Sequence, residues 1–413
     1  MALLRNRNFV LVFAGQGLSR LGDGVYTAAV AWLAWTLTHQ AGAVAQVTVA
    51  ANAPTFVVTL IGASYADRYD RRRLMIATDL ARAALVGIAA LLLAVGLLGL
   101  PLLVAGTAAL AAIGAPFAPA RNALVPHLVP PEALLAANGL LQVAFRAAFF
   151  VGPLLLAPLL AIASMGVVLA LDALTFIVSA ATLAAIRGGP ARPAGERLGL
   201  RDDLAAGLAA VRREPEVMIV VGTFVLALVA ASGFLTVGVV ALVGEGLGGQ
   251  AGDLGLLLGI AGVAEVFGAL ALARLRLPPR NLALIAVLAW ALLGVFRFPL
   301  GLAATPLLAA ALLAITGFAS ALTDIPLIAL VQQRIPDRHL AKALGLWEAG
   351  IAGAVALAPV IAATTIDHLG VTTGFMLSGA ALILIGTAAA LLLTRTAPGR
   401  VHVPALEAEA GRL

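Results

Sequence analysis

The sequence predicts an all-α integral membrane protein of twelve transmembrane helices in two six-helix halves. Three observations carry that expectation. The 413 residues are 62% hydrophobic and 11% charged, whereas soluble domains run at roughly 45–50% apolar and about 25% charged. The apolar residues gather into runs close to the ~20 residues that a bilayer-spanning helix needs. The arginines collect in every second connection between those runs, as they do in multi-span membrane proteins.

The runs fall at 9–36, 44–65, 74–98, 101–118, 138–161 and 167–186, then at 217–242, 254–273, 282–302, 306–331, 344–366 and 372–393. The first follows Arg5 and Arg7, as a signal peptide would, but its length and the spans behind it make it an uncleaved first helix. Arg68, Arg71, Arg72 and Arg73 follow the second run and Arg121 the fourth; six arginines from Arg187 to Arg213 follow the sixth. Arg274, Arg276 and Arg280 follow the eighth, Arg334, Arg338 and Lys342 the tenth, and Arg395 the last. The alternate loops, near His39, Leu100, Ser164, Glu245 and His368, carry no basic residue apart from Arg297 on approach. Both termini are therefore expected in the cytoplasm, with the chain spanning the inner (plasma) membrane many times. The net charge of +6 reads as orientation and contact with anionic lipid headgroups, with no nucleic-acid partner implied.

The composition also argues against an enzyme. Cysteine is absent, Lys342 is the only lysine, and all five histidines lie in loops or the tail. Thiolate chemistry, a phosphate-cradling lysine loop and an intramembrane histidine metal pair are thus all missing, as are Gly-x-Ser-x-Gly and His-Glu-x-x-His. No cofactor and no metal are expected.

A shift of 206 residues superposes the two halves: Gly62-Ala63 falls on Gly268-Ala269, Arg68 on Arg274, Pro130 on Pro336, Gly139-Leu140 on Gly345-Leu346 and Pro153 on Pro359. The expected organisation is a first half (1–186), a cytoplasmic linker (187–216), a second half (217–394) and a disordered tail (395–413). In the linker Leu200, Leu204, Leu208 and Val211 recur at helical spacing, predicting an amphipathic helix at the membrane surface.

Ionisable residues inside spans are costly and mark function by default. Asp23 falls mid-membrane in the first run, with Arg20 three residues before it; the two form either a self-neutralising pair or a proton or cation site. Arg146 in the fifth run is a fixed charge, partner to Asp23 or contact for an anionic group. Glu265 in the eighth run is a candidate for coupling or cation recognition. Asp324 reads as a partner for backbone donors freed by Pro326. Asp172 and the Asp79/Arg82 pair read as structural.

The segment from Gly62 through Asp67-Arg68 to Arg71-Arg72-Arg73 resembles the signature loop between helices 2 and 3 of the major facilitator superfamily. Gly15-Gln16-Gly17-Leu18-Ser19 with Gly22-Asp23, Val125-Pro126 to Pro130, Ala137-Asn138, and Gly207-Leu208 to Pro215 resemble the branch of macrolide-efflux pumps and the enterobactin exporter. The resemblance covers essentially the whole chain. It implies a cytoplasmic gate at the signature loop, with Glu348 near the start of helix 11 as a contact for its arginines. Gly152-Pro153 resembles the helix 5 motif of antiporters, with the later glycines missing. The expected function is a proton-coupled antiporter exporting lipophilic or amphipathic compounds by alternating access, its partners being the lipid bilayer, that small substrate and protons, and its state the monomer usual in the superfamily. The alternatives are a specific exporter or uniporter of a siderophore, lipid or metabolite, and a transport-inactive scaffold or sensor.

Overall fold

The computed structural model describes residues 3–66, 70–130, 133–186, 208–209, 211–274 and 278–396. Twelve long helices make up the described chain. The first half holds α1 (Arg7–Thr38), α2 (Ala41–Ala66), α3 (Arg71–Ala94), α4 (Leu100–Gly114, carried on by Phe117–Leu124), α5 (Leu134–Ile162) and α6 (Met165–Ala184). The second holds α7 (Pro215–Gly246), α8 (Ala251–Arg274), α9 (Leu282–Leu302), α10 (Pro306–Arg334), α11 (337–369) and α12 (371–396). No strand occurs among the described residues. Helices alone suit such a sequence, because each satisfies its own backbone hydrogen bonds and can carry apolar side chains all round in lipid.

The ends of these helices are set by local chemistry. Asn6 caps α1 by accepting from the N–H groups of Asn8 and Phe9, and Asp70 caps α3 by accepting from that of Arg73. Ser164 and Thr305 do the same for α6 and α10, and Pro101, Pro215 and Pro306 occupy first-turn positions where no N–H is needed. Gly370, at φ 81°, makes the only break between α11 and α12. Of the linker helix expected around 200–211 only residues 208, 209 and 211 are described, with Leu208 helical and exposed and Val211 buried against the second half; the tail beyond Thr396 lies outside the described residues.

The two halves repeat one packing plan. In the first, α1 packs on α5 and α6, α2 on α4, and α3 on α6; in the second, α7 packs on α11, α8 on α10, and α9 on α12. The halves meet through α5 against α8 and α2 against α11, two contacts that exchange under the same repeat.

The apolar cores differ between the two faces of the molecule. On the face that bears α2's first residue, one continuous core joins Val25–Val47 and Leu156–Phe176 of the first half to Phe234–Ala261, Leu300–Leu313 and Ala362–Phe375 of the second. On the arginine-rich face the described residues form separate clusters. Two belong to the first half, around Met75 and around Phe9, and one to the second, around Val217 and Trp290. The bundle is therefore sealed on the first of these faces.

Candidate transport site

The seal carries a polar clasp. Asp367, near the end of α11, accepts hydrogen bonds from the backbone N–H groups of Ala41 and Gly42, each at 2.9 Å. These are orphan donors at the start of α2, so a carboxylate from one half caps a helix of the other, where the helix dipole favours negative charge. Beside it, a cleft of about 410 Å³ opens between α2, α4 and α11, lined mainly by alanine and valine with Gln46, Thr364 and Asp367 as its polar groups.

A network of charged and polar side chains fills the middle of the first half. Asp23 on α1 pairs with Arg82 on α3 at 2.6 Å and with Arg20 at 3.3 Å. Arg82 Nη1 also lies 4.0 Å from Asp79 Oδ1, and its guanidinium stacks 3.9 Å over the ring of Phe176 on α6. Toward the arginine-rich face, Gln16 donates to Ser179 Oγ at 2.7 Å, and Ser179 donates in turn to Asp79 Oδ2 at 2.6 Å. Away from it, the Tyr26 and Thr107 hydroxyls bond at 3.3 Å. Arg20 and Arg121 both face the ring of Phe145 on α5. Three acids (Asp23, Asp79 and Asp172) and two arginines (Arg20 and Arg82) thus share one region, and Asp23 keeps 20% of its side chain exposed. Two guanidinium groups serve three acids, so the region is not charge-balanced with every acid ionised.

The expected Arg20–Asp23 pair forms, but the closer cation is Arg82, which the sequence pairs only with Asp79. Counting turns would not have found it: from the arginine-rich ends, Asp23 lies more than a turn deeper in α1 (Arg7–Thr38) than Arg82 does in α3 (Arg71–Ala94), and the long arginine side chain spans the difference. The backbone of Arg146 lies in α5, and its side chain falls outside the described residues. Glu265 sits half-buried on α8 and Asp324 half-buried on α10. In the second half Arg297 is buried and donates to the Ala231 carbonyl at 2.6 Å, and Arg334 pairs with Glu216 at 2.7 Å.

At the signature loop Asp67 and Arg68 lie outside the described residues, as do the surroundings of Gly62 on α2. The next arginines bind within their own half. Arg71 is buried and contacts His127 at 3.3 Å. Arg72 donates to the carbonyls of Leu183 (2.7 Å) and Ala184, closing the end of α6. Arg73 is exposed, and so is Glu348 on α11. Gly152 packs on Gly24, where a Cβ on Gly152 would come within 2.6 Å of the Gly24 Cα, and the carbonyl of the adjacent Pro153 meets Gly255 of α8. The antiporter-like motif therefore lies where α1, α5 and α8 converge.

Over residues 1–409 the chain matches the family described as Transmembrane secretion effector. It belongs to that family of major facilitator transporters. The fold agrees: the nucleoside transporter NupG superposes with a TM-score of 0.76 at 13% identity, over 94% of this chain and 99% of that one. A bacterial homologue of the iron transporter ferroportin superposes with a TM-score of 0.70 at 16% identity, over 94% and 100% of the two chains. Among sequence relatives, the multidrug efflux pump Tap of Mycobacterium tuberculosis is 33% identical over 161 residues, 36% of this chain and 38% of the relative. Macrolide efflux protein A of Streptococcus pyogenes is 27% identical over 184 residues, 43% and 44% of the two chains. The matched stretches span less than half the length of either relative. This transporter is accordingly a multi-pass membrane protein of the major facilitator fold.

Proposed function

We propose that this transporter is a secondary active exporter that carries lipophilic or amphipathic compounds out of the cell in exchange for protons. The observation that carries the reading is the closure of the bundle on one face, where a shared core and the Asp367 clasp join the halves. With the arginine-rich face in the cytoplasm, as the positive-inside rule requires, this is the outward-closed member of an alternating-access pair. A compound enters between the halves from the cytoplasm or the inner leaflet. Closure at the arginine-rich face then accompanies release of the clasp, and the compound leaves on the other side.

The scarcity of aromatic residues, 5% of the chain, leaves aliphatic side chains to line the path, which favours shape-tolerant binding. The efflux pumps among the relatives support the same direction of transport and substrate class. Coupling falls to the first-half network, because a proton arriving there changes which carboxylate the arginines neutralise. Glu265 is the corresponding candidate in the second half. The signature loop with Glu348 acts as the cytoplasmic latch when the arginine-rich face closes, and the protein works as a monomer in the inner membrane.

The test uses acid-loaded inside-out membrane vesicles and a panel of macrolides, lipophilic cations and acidic siderophore-like compounds. Proton release triggered by a panel member with the wild type, and not with Asp23→Asn, supports the reading. Silence of the wild type across the panel overturns it.

A further inference from the structure

One carboxyl in the first half stands apart from the arginine-held pair. Asp172 on α6 is 2% exposed, and its Oδ2 has no hydrogen-bond donor within reach among the described residues. Its Oδ1 receives only a long bond of 3.4 Å from Thr175, whose hydroxyl donates better, at 2.7 Å, to the Asp172 carbonyl. The side chain is pressed against α1. A Cβ on Gly22 would collide with Asp172 Oδ1 and lie 2.6 Å from Thr175 Oγ1. Helix α1 is thus bare where α6 delivers a carboxyl, one residue from Asp23.

The groups around Asp172 are few. Helix α1 presents Asp23 and Tyr26, α3 presents Arg82, and α4 takes part only through Thr107, bonded to Tyr26. Arg82 is the cation among them, and it is already engaged with Asp23. It also rests on Phe176, one turn beyond Asp172 on the same face of α6. An ionised carboxylate buried without a donor is far costlier than a neutral acid. Asp172 therefore fits this conformation with its proton on, while Asp23 is held between two guanidinium groups.

We infer that Asp172 carries the coupling proton and that Arg82, pivoting over Phe176 from Asp23 to Asp172, expels it. In that step the Asp172 O–H bond breaks, the proton passes to water admitted beside the partly exposed Asp23, and the carboxylate left behind pairs with the guanidinium. No other bond changes. Asp23 is then the positioning residue that holds Arg82 back until the cleft is open. This rests on the proton-coupled reading and moves the carrier from Asp23 to its neighbour on α6.

Infrared difference spectroscopy of the purified full-length protein in liposomes tests it, reading the C=O stretch of a protonated carboxylic acid as pH is raised through neutrality. The wild type is expected to show a band at neutral pH that Asp172→Asn removes and Asp172→Glu restores. Asp23→Asn, which frees Arg82, moves the band's disappearance to lower pH, and Arg82→Gln moves it to higher pH. A purely structural Asp172 predicts neither shift. An unchanged band in Asp172→Asn overturns the proposal, as does a band unmoved by both Asp23→Asn and Arg82→Gln. The vesicle assay separates this from the exporter reading. If the wild type and Asp172→Asn release protons equally, Asp172 is excluded and the exporter stands; if the wild type is silent to the whole panel, both fall.

Discussion

Arg82 and Asp23, on helices α3 and α1, meet at 2.6 Å in the middle of the first half. Their side chains are 12% and 20% exposed, so little solvent screens them. Removing one partner of such a pair costs on the order of 3 kcal/mol when the other is left unpaired, and less where Arg20 stays with Asp23 or Asp79 stays with Arg82. Arg82→Ala should therefore lower the thermal unfolding temperature in detergent more than Asp23→Asn does, since it also strips the cation from Phe176. The double variant should recover part of the loss, and a thermodynamic cycle reads the coupling directly.

Asp367 should bias the two conformations against each other. Loss of a helix cap costs about 0.5–2 kcal/mol, and here the whole of it weighs on the closed outer seal. Asp367→Ala should shift the population toward outward-open states about tenfold, which corresponds to 1.4 kcal/mol. The native chain has no cysteine, so a single cysteine at Ala45, in the cleft beside the clasp, reports this by its labelling rate with a membrane-impermeant maleimide. An unchanged rate would show that the apolar core alone holds the seal.

Gly152→Ala should destabilise the protein by about 1–3 kcal/mol, the usual cost of overpacking. The added methyl meets the backbone of Gly24, which cannot rotate away. Gly17→Ala on α1 meets nothing within 4 Å and should be neutral or slightly stabilising. Parallel thermal melts decide it, and equal behaviour of the two variants would refute the close approach of α1 and α5.

Arg72→Ala should cost on the order of 1–2 kcal/mol, because it uncovers two terminal carbonyls of α6. Arg73→Ala, on an exposed side chain, should change stability by less than about 0.5 kcal/mol. Both variants are read by the same melts, with transport measured at equal protein level. A transport loss in Arg73→Ala at unchanged stability assigns the exposed arginine to the gate.

The helices, their number and the repeat were legible because the bilayer imposes them. Each span must be apolar for its full length, and prolines and glycines mark the two halves at a constant offset. The side-chain partnerships were less legible. Arg20 and Asp23 share one helix, so their spacing alone brings them together. Arg82 reaches Asp23 only because α1 and α3 both pack on α6, which no run of hydrophobic residues encodes. The same holds for Asp172, whose place is set by a missing side chain at Gly22, and for Asp367, whose partners are backbone groups and leave no trace in composition.

The single-residue break at Gly370 has a mechanical consequence. Helices α11 and α12 share no loop that could absorb a relative displacement, so they form a stiff elbow with Asp367 three residues from its corner. The outer arm presents Leu377, Leu384, Leu391 and Leu392 to the hydrocarbon. A thicker or more strained bilayer that tilts this arm levers the corner, and the load arrives at the clasp. On the proposed cycle, the lipid around the transporter would thereby set the ease with which this seal opens.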